Sequence, residues 1–421
     1  MKKGFHIFED RNYDKETRKI LNRNSTTCCM NGCSEKSIYS HIISKSLSIE
    51  KISQDKHVTV FNPSRRGDVK IPKFASVGIN DNPAFNGFCK KHDALFELID
   101  NFEIKDFFGV YLQLFRTISS EIYFLKMGDI LYPDIDIEKG VDFIVESVKG
   151  KIEKDDGSID IERFEKVKVD LALYLEASND DKNLELEEQI KYLTTIQDFI
   201  LDKIKTVEDK LTSLFIEENT LCVLDVNEIK HQVFAYITNF KIPVAISTMH
   251  TFPGIENDAN NSYAFYVVVP YEDSNIIIGL VSDLIAPQFL DRITKAVNCA
   301  VLDELSVLNF VEALAMASPD DAYYCPSVID EMSNEKLRIF TEDCMCLHEF
   351  QNSCKYLAEY DMSIFDSLRR KIIYNSFPEH EHELQKISTL PLRESYEVRS
   401  QKLFDKIMKE NLVLNNLKSD L

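Results

Sequence analysis

Two short clusters of metal-binding residue types, Thr26-Thr27-Cys28-Cys29-Met30-Asn31-Gly32-Cys33 and Phe88-Cys89-Lys90-Lys91-His92, constrain this chain more than anything else in it. Three thiolates and one neutral imidazole fill the tetrahedron that structural zinc prefers. The spacing C-x-x-H suits a loop entering a helix, because residues three apart share one helical face. The first pair is C-x4-C with Cys28 or C-x3-C with Cys29. The longer loop is preferred, since Asn31-Gly32 provides a tight turn back to Cys33. The expected ligands are therefore Cys28, Cys33, Cys89 and His92, with Cys29 as the alternative to Cys28. A closed site of this kind stabilises a unit with too little core of its own.

The charge distribution singles out the same stretch. Residues 1–92 carry 17 Lys and Arg against 9 Asp and Glu, whereas the remainder carries 32 against 61, within a total of −21. A basic pole on an acidic chain points to a segment facing nucleic acid. At 421 residues, with 44% hydrophobic and 28% charged residues, the chain is an ordinary globular one, long enough for two or three domains. The first thirty residues hold no apolar run of signal-peptide length, and no stretch approaches membrane-spanning length. A cytoplasmic protein with no membrane partner is expected, its ten cysteines being reduced thiols and metal ligands rather than a disulfide framework.

An α+β organisation follows from the pattern: a small zinc-bound unit over 1–97, a helical region over 98–218 and a mixed domain of antiparallel sheet and helices over 219–421. A short helix is expected near 15–22. After His41 one or two helical turns are expected, and the segments 57–61 and 69–79 read as the strands of a ribbon. Residues 80–86 read as a loop, and a helix begins near Cys89. Residues 103–218 look almost wholly helical, and the pattern near 183–218 suits a bundle or coiled-coil helix that associates with itself or with a partner protein. Between 221 and 281, β-branched and aromatic runs alternate with turns, which predicts an antiparallel sheet. Helical patterns return in 289–298, in 304–317 and over much of 326–421.

The residues Ser37-Ile38-Tyr39-Ser40-His41-Ile42 followed by Asn86-Gly87-Phe88-Cys89-Lys90-Lys91-His92-Asp93 resemble the zinc-bound form of the HNH, or ββα-metal, endonucleases. The resemblance covers about residues 25–97. It implies that His41 is the general base, that Asn86 orients its ring, that Cys89 and His92 form the second zinc pair, and that Asp93 stands where the family has its final metal-binding His. It further implies hydrolysis of nucleic-acid phosphodiester bonds with Mg²⁺ or Mn²⁺ at Asp93, a hard oxygen ligand suited to such ions. Lys45, Arg65, Arg66, Lys90 and Lys91 would pair with backbone phosphates in a sequence-independent, salt-sensitive manner. The chain departs from the pattern at Ser40, where many members have an acidic ligand, and in the long spacer from His41 to Asn86. A small nuclease module on a large acidic body also resembles components of prokaryotic antiviral defence. The rival reading is a non-catalytic zinc module that docks nucleic acid or protein on an acidic scaffold.

Three other groups are read without a site. Arg116 and Glu121 stand in a strongly apolar helical run and form a candidate buried polar pair. In Cys344, Cys346, His348 and Cys354 the spacing of two does not bring successive ligands together on a helix, and core cysteines on amphipathic helices are the better reading. His380 and His382 read as solvent-facing residues at a helix start. No Gly-rich phosphate loop and no G-x-S-x-G is present.

Overall fold

A computed structural model describes residues 27–131, 186–206, 220–350 and 360–402, apart from breaks at 31, 67–68, 82–83, 227–228, 253–261, 283, 286, 301, 397 and 400–401. The expected helix at 15–22, the segments 132–185 and 207–219, and Cys354 lie outside the described residues. Among the described residues ten strands are arranged as one large and one small sheet, with helices around them, so the α+β class holds.

The large sheet is antiparallel throughout and has the order β3-β2-β10-β7-β8-β9-β6-β5. Its strands are β2 (His57–Arg66), β3 (Val69–Gly78), β5 (Thr220–Val226), β6 (Ile229–Ile237), β7 (Val244–Phe252), β8 (Ser262–Pro270), β9 (Asn275–Ser282) and β10 (Ala322–Tyr324). All nine residues of β8 are buried. An antiparallel strand reads as a near-continuous apolar run only when both faces of its sheet are covered. One face is covered by α3 (Phe107–Leu131), by the helix α4 over 186–206 and by the N-terminal elements. The other is covered by α5 (Pro287–Ala300), α6 (Glu304–Ala317), α7 (Pro326–Asp330), α8 (Asn334–Phe350) and α9 (Asp366–Ser376). Along β8, Tyr263, Phe265 and Val267 point to the first layer and Ala264, Tyr266 and Val268 to the second, as the two-residue repeat of a strand requires.

The expected ribbon at 57–61 and 69–79 forms, as β2 and β3, but it belongs to the large sheet. Tyr323 and Tyr324 of β10 pair with Val60 and Thr59, so the hydrogen-bonded register runs across the sequence boundary at 97. A different ribbon stands beside the Cys/His residues. β1 (Ile38–His41) pairs antiparallel with β4 (Ala84–Phe88), with His41 opposite Ala84. The loop expected over 80–86 therefore gives way to a strand at Ala84. Turn-forming Asn and Pro residues mask the strand in the sequence, while Phe88 holds it against Phe96 and Phe115 and Phe85 against Tyr123. β4 is followed by α1 (Lys90–Asp93), one 3-10 turn and α2 (Glu97–Asn101).

Helix α3 is buried nearly all round, including Gln113, Arg116, Thr117, Ser119 and Ser120. Its hydroxyl groups are satisfied locally, with Ser119 donating to Phe115 O and Ser120 to Thr117 O. Thr117 meets Ser247 of β7 at 3.2 Å, and Gln197 of α4 donates to Ser119 at 2.6 Å. These contacts fix the helix between the sheet and the Cys/His elements. Cys344 lies in the opposite layer beside Phe340, as a core cysteine should; the side chains of Cys346 and His348 are outside the described residues. His380 and His382 are exposed, in a 3-10 segment.

Two buried histidines give the fold a specific pH response. His231 of β6 is 1% exposed with neither ring nitrogen hydrogen-bonded, and His250 of β7 is 4% exposed with only Nε2 bonded, to Ser318 at 2.6 Å. Burial pushes both pKa values down to about 4. Each ring is neutral in the fold and protonates at its ordinary pKa when unfolded, so stability is complete above about pH 6.5 and falls as the pH drops towards 4. The loss is on the order of 3 kcal/mol per ring. Glu121 acts in the opposite sense: burial and Asp321 raise its pKa to about 8, so its neutral form is favoured and its cost grows between pH 4.5 and 8. The histidine effect is isolated by His231→Phe. Urea midpoints measured from pH 7 to 4 are expected to fall less steeply in this variant than in wild type. Parallel curves would contradict this account.

Candidate metal centre

The first metal-binding pair sits in a loop closed by a bridge between Thr27 and Lys36. The Cys28 N–H donates to Glu35 O at 2.8 Å and the Cys33 N–H to Met30 O at 3.0 Å. Gly32 has φ +76°, a left-handed conformation that side chains other than glycine adopt at a cost, and so allows the chain to return at Cys33. The second pair comes from the start of α1. Cys89 is the extended N-cap residue, and its carbonyl accepts from the N–H groups of His92 and Asp93 at 2.9 and 2.8 Å. One helical turn then brings His92 back over Cys89.

The two pairs converge. The ligand atoms of Cys28, Cys33, Cys89 and His92 all lie within 4.8 Å of one another. Cys28 Sγ is 3.2 Å and Cys89 Sγ 3.4 Å from His92 Nδ1, and Cys33 Sγ is 3.9 Å from Cys89 Sγ. A zinc tetrahedron with ordinary bond lengths has edges of about 3.8 Å between sulfurs and about 3.6 Å between sulfur and nitrogen. The four residues thus fit a metal such as zinc in both geometry and donor chemistry. Cys28, and not Cys29, is the member brought to the other three. Cys29 instead packs against the core, and burial pushes its thiol up to about 12. Burial also raises the Cys28 thiol, whereas the His92 backbone N–H lowers that of Cys89. Among the described cysteines none is in a disulfide.

His41 ends β1, half-buried, with Tyr39 edge-on at a ring separation of 5.7 Å. Between Ile38 and Ser40 the register with β4 shifts, so that Asn86 and Gly87 together oppose Tyr39. Such a bulge re-aims side chains, and it falls at Asn86, two residues from the His41–Ala84 pair. Glycine is required at 87, since a Cβ there would fall 2.0 Å from a Phe85 ring carbon. Its carbonyl accepts from the Cys29 N–H at 2.7 Å, which ties the bulge to the cysteine loop.

Burial lowers the His41 pKa below that of an ordinary imidazole; Asp100 opposes the shift, Arg116 and Lys45 add to it, and Asp93 opposes it. The expected basic residues occupy two places. Lys45 is near His41 and donates to Asn80, and Lys90 and Lys91 are exposed on α1. Arg65 and Arg66 end β2 opposite Lys70 and Val69, at the far end of the β2–β3 ribbon.

The expected pairing of Arg116 with Glu121 does not form. Five residues along a helix turn through about 140° net, which puts the two side chains on different faces. Arg116 instead binds both carboxylate oxygens of Asp100. Neither Asp100 nor this pairing carries a local sequence signal, because Asp100 belongs to a separate helix.

Comparison with protein-family models, curated proteins and solved structures finds no match. Among the described residues no helix is long and apolar enough to cross a membrane.

Proposed function

We propose that this chain is a metal-dependent nuclease in which the Cys28, Cys33, Cys89 and His92 centre holds structural zinc and His41 is the general base. The observation that carries the reading is the order and register of three elements. The His41–Ala84 pair of the β1–β4 ribbon sets His41 beside the strand that carries Asn86, and α1, bearing Cys89, His92 and Asp93, follows at once. Four protein ligands close a zinc tetrahedron and leave no open position, so zinc there has a structural role.

Phosphodiester hydrolysis needs a deprotonated water and charge neutralisation on the phosphate. A partly buried imidazole that stays neutral at pH 7 is suited to taking the water's proton. Asn86, on the paired strand, would orient that ring on substrate binding, since the buried His41 Nδ1 has no hydrogen-bond partner among the described residues of the free protein, and Asp93 would supply hard oxygen for Mg²⁺ or Mn²⁺, an ion that would polarise the phosphate and the leaving oxygen. Lys45, Lys90 and Lys91 supply exposed positive charge beside the site for phosphate oxygens, consistent with the basic balance of residues 1–92.

One observation favours the docking alternative. Leu95, Leu98 and Phe102 are exposed at helical spacing just beyond the zinc ligands, and an apolar stripe of this kind suits a protein partner. The two readings separate on incubation of zinc-loaded protein with plasmid, single-stranded DNA and RNA in Mg²⁺ or Mn²⁺. Cleavage that falls by roughly a hundredfold or more in His41→Ala is expected of a general base. Identical behaviour of wild type and His41→Ala on every substrate would leave docking as the function.

A further inference from the structure

The buried polar groups of α3 converge on the segment that follows His41. Gln113, 2% exposed, donates through Nε2 to Ile42 O at 3.0 Å. Ser44 Oγ donates to Asp100 O at 3.2 Å and accepts from the Leu47 N–H at 3.3 Å. Two helices, α2 and α3, thus clamp the three residues after His41 from different sides. Arg116, one turn from Gln113 on α3, is 2% exposed, and its guanidinium lies 4.4 Å from the Phe96 ring centroid. It donates through Nη1 and Nη2 to the two oxygens of Asp100, at 2.9 and 2.8 Å. A two-point fork fixes the plane of a carboxylate as well as its position.

Stability alone gives little reason for this pair, because replacing a buried ion pair with apolar side chains is often neutral or favourable. What the pair achieves is a carboxylate with no freedom to turn, partly open to solvent, on a helix hydrogen-bonded to the His41 segment. We infer that Asp100, gripped by Arg116, is a positioning carboxylate for His41, with Gln113 holding the backbone on which His41 sits. This rests on the reading of His41 as a general base. When His41 takes a proton from water, the imidazolium gains a fixed negative partner; Asp100 itself touches no reacting atom. The charges that act on the His41 ring are Asp100 from α2 and Asp93 from α1, which favour its protonated form, and Arg116 from α3 and Lys45 from the following turn, which oppose it; the ring's buried Nδ1 has no hydrogen-bond partner among the described residues. Asp100 acts on the ring more strongly than Asp93.

The test is an NMR titration of the His41 ring in the zinc-loaded full-length chain, with the signal assigned by its loss in His41→Ala. Asp100→Asn retains a hydrogen bond to Arg116 and removes the charge. It is expected to move the His41 curve to lower pH, by more than Asp93→Asn does, while Asp100→Glu restores a curve close to wild type. Should Asp100→Asn fail to fold, the apolar pair Asp100→Leu with Arg116→Met is expected to fold and to give a smaller shift in the same direction. A His41 curve unmoved in folded Asp100→Asn or in the apolar pair would overturn the inference. On cleavable substrate the acid limb of the pH–rate profile follows the same shift, with kcat reduced and KM unchanged. If wild type cleaves nothing yet the His41 curve moves as described, the nuclease reading fails and the placement of Asp100 stands.

Discussion

Replacing Cys89 and His92 together with alanine is expected to abolish metal binding and to unfold the Cys/His elements while the large sheet persists. Wild-type protein should contain about one zinc per chain and the double variant none, as read by metal analysis of purified protein. The effect is large because the cysteine loop has little else to hold it and the β1–β4 ribbon beside it, which packs on α3 through Phe85 and Phe88, is short. β1 and β4 form a sheet of two strands, and a two-stranded ribbon alone is marginal in water. The cysteine loop between Thr27 and Lys36 has one bridge and a few backbone hydrogen bonds. Binding free energies for structural zinc are roughly 10–16 kcal/mol in small metal-dependent modules at neutral pH, more than such a loop can replace. The large sheet has a separate source of stability, since β8 and β9 are buried along their whole length. Hydrogen exchange should therefore show lost protection in 27–41 and 84–101 and retained protection in β7, β8 and β9. Chelation of wild type should reproduce the pattern. Zinc retained by the double variant would refute the four-ligand assignment.

The legible and illegible parts of this architecture differ in how far the deciding contact lies along the chain. C-x-x-H is a one-turn spacing, so the relation of Cys89 to His92 is visible in the sequence. The preference for Cys28 over Cys29 is similarly local, since it depends on the turn that Gly32 permits. The strands from 221 to 281 announce themselves through β-branched runs, and all of them pair within the same span or its neighbours. The wrong ribbon was expected beside the zinc centre because β1 is only four residues long and its partner lies beyond the β2–β3 hairpin. β10, three residues long, exists as a strand because Tyr323 finds Val60 on one side and Ala245 on the other. No local pattern records either partner. The same limit hid Asp100 from Arg116: an apolar helix shows that a cation is buried, but not what neutralises it.

A second large effect is expected in the layer opposite the metal centre, where Glu312→Ala should destabilise the protein by about 3–5 kcal/mol, the cost of leaving a buried ion without its partner. Glu312 on α6 is 1% exposed and Arg369 on α9 is fully buried. One carboxylate oxygen of Glu312 accepts from the N–H groups of Ile364 and Phe365 at 2.8 and 3.0 Å and from Ser363 Oγ at 3.2 Å. The other accepts from Arg369 Nη2. Phe365 is the N-cap residue of α9 and offers no side-chain cap; Glu312, from another helix, binds its N–H and that of the residue before it, and places negative charge where the helix dipole favours it. Removing the carboxylate leaves two backbone N–H groups and a hydroxyl without their acceptor, besides a guanidinium whose remaining partners are Asn309 at 2.7 Å and Glu383 at 3.1 Å. Glu312→Gln keeps an acceptor for the N–H groups but not the charge, and should fall between wild type and alanine. Glu312→Leu with Arg369→Met removes the ion pair as a unit, so it should be more stable than Glu312→Ala although the N–H groups stay unpaired. Urea unfolding of the four proteins at pH 7 measures the series. A Glu312→Ala variant within about 1 kcal/mol of wild type, the level of an exposed ion pair, would mean that water reaches Arg369 and that the link from α6 to α9 does not carry the stability assigned to it.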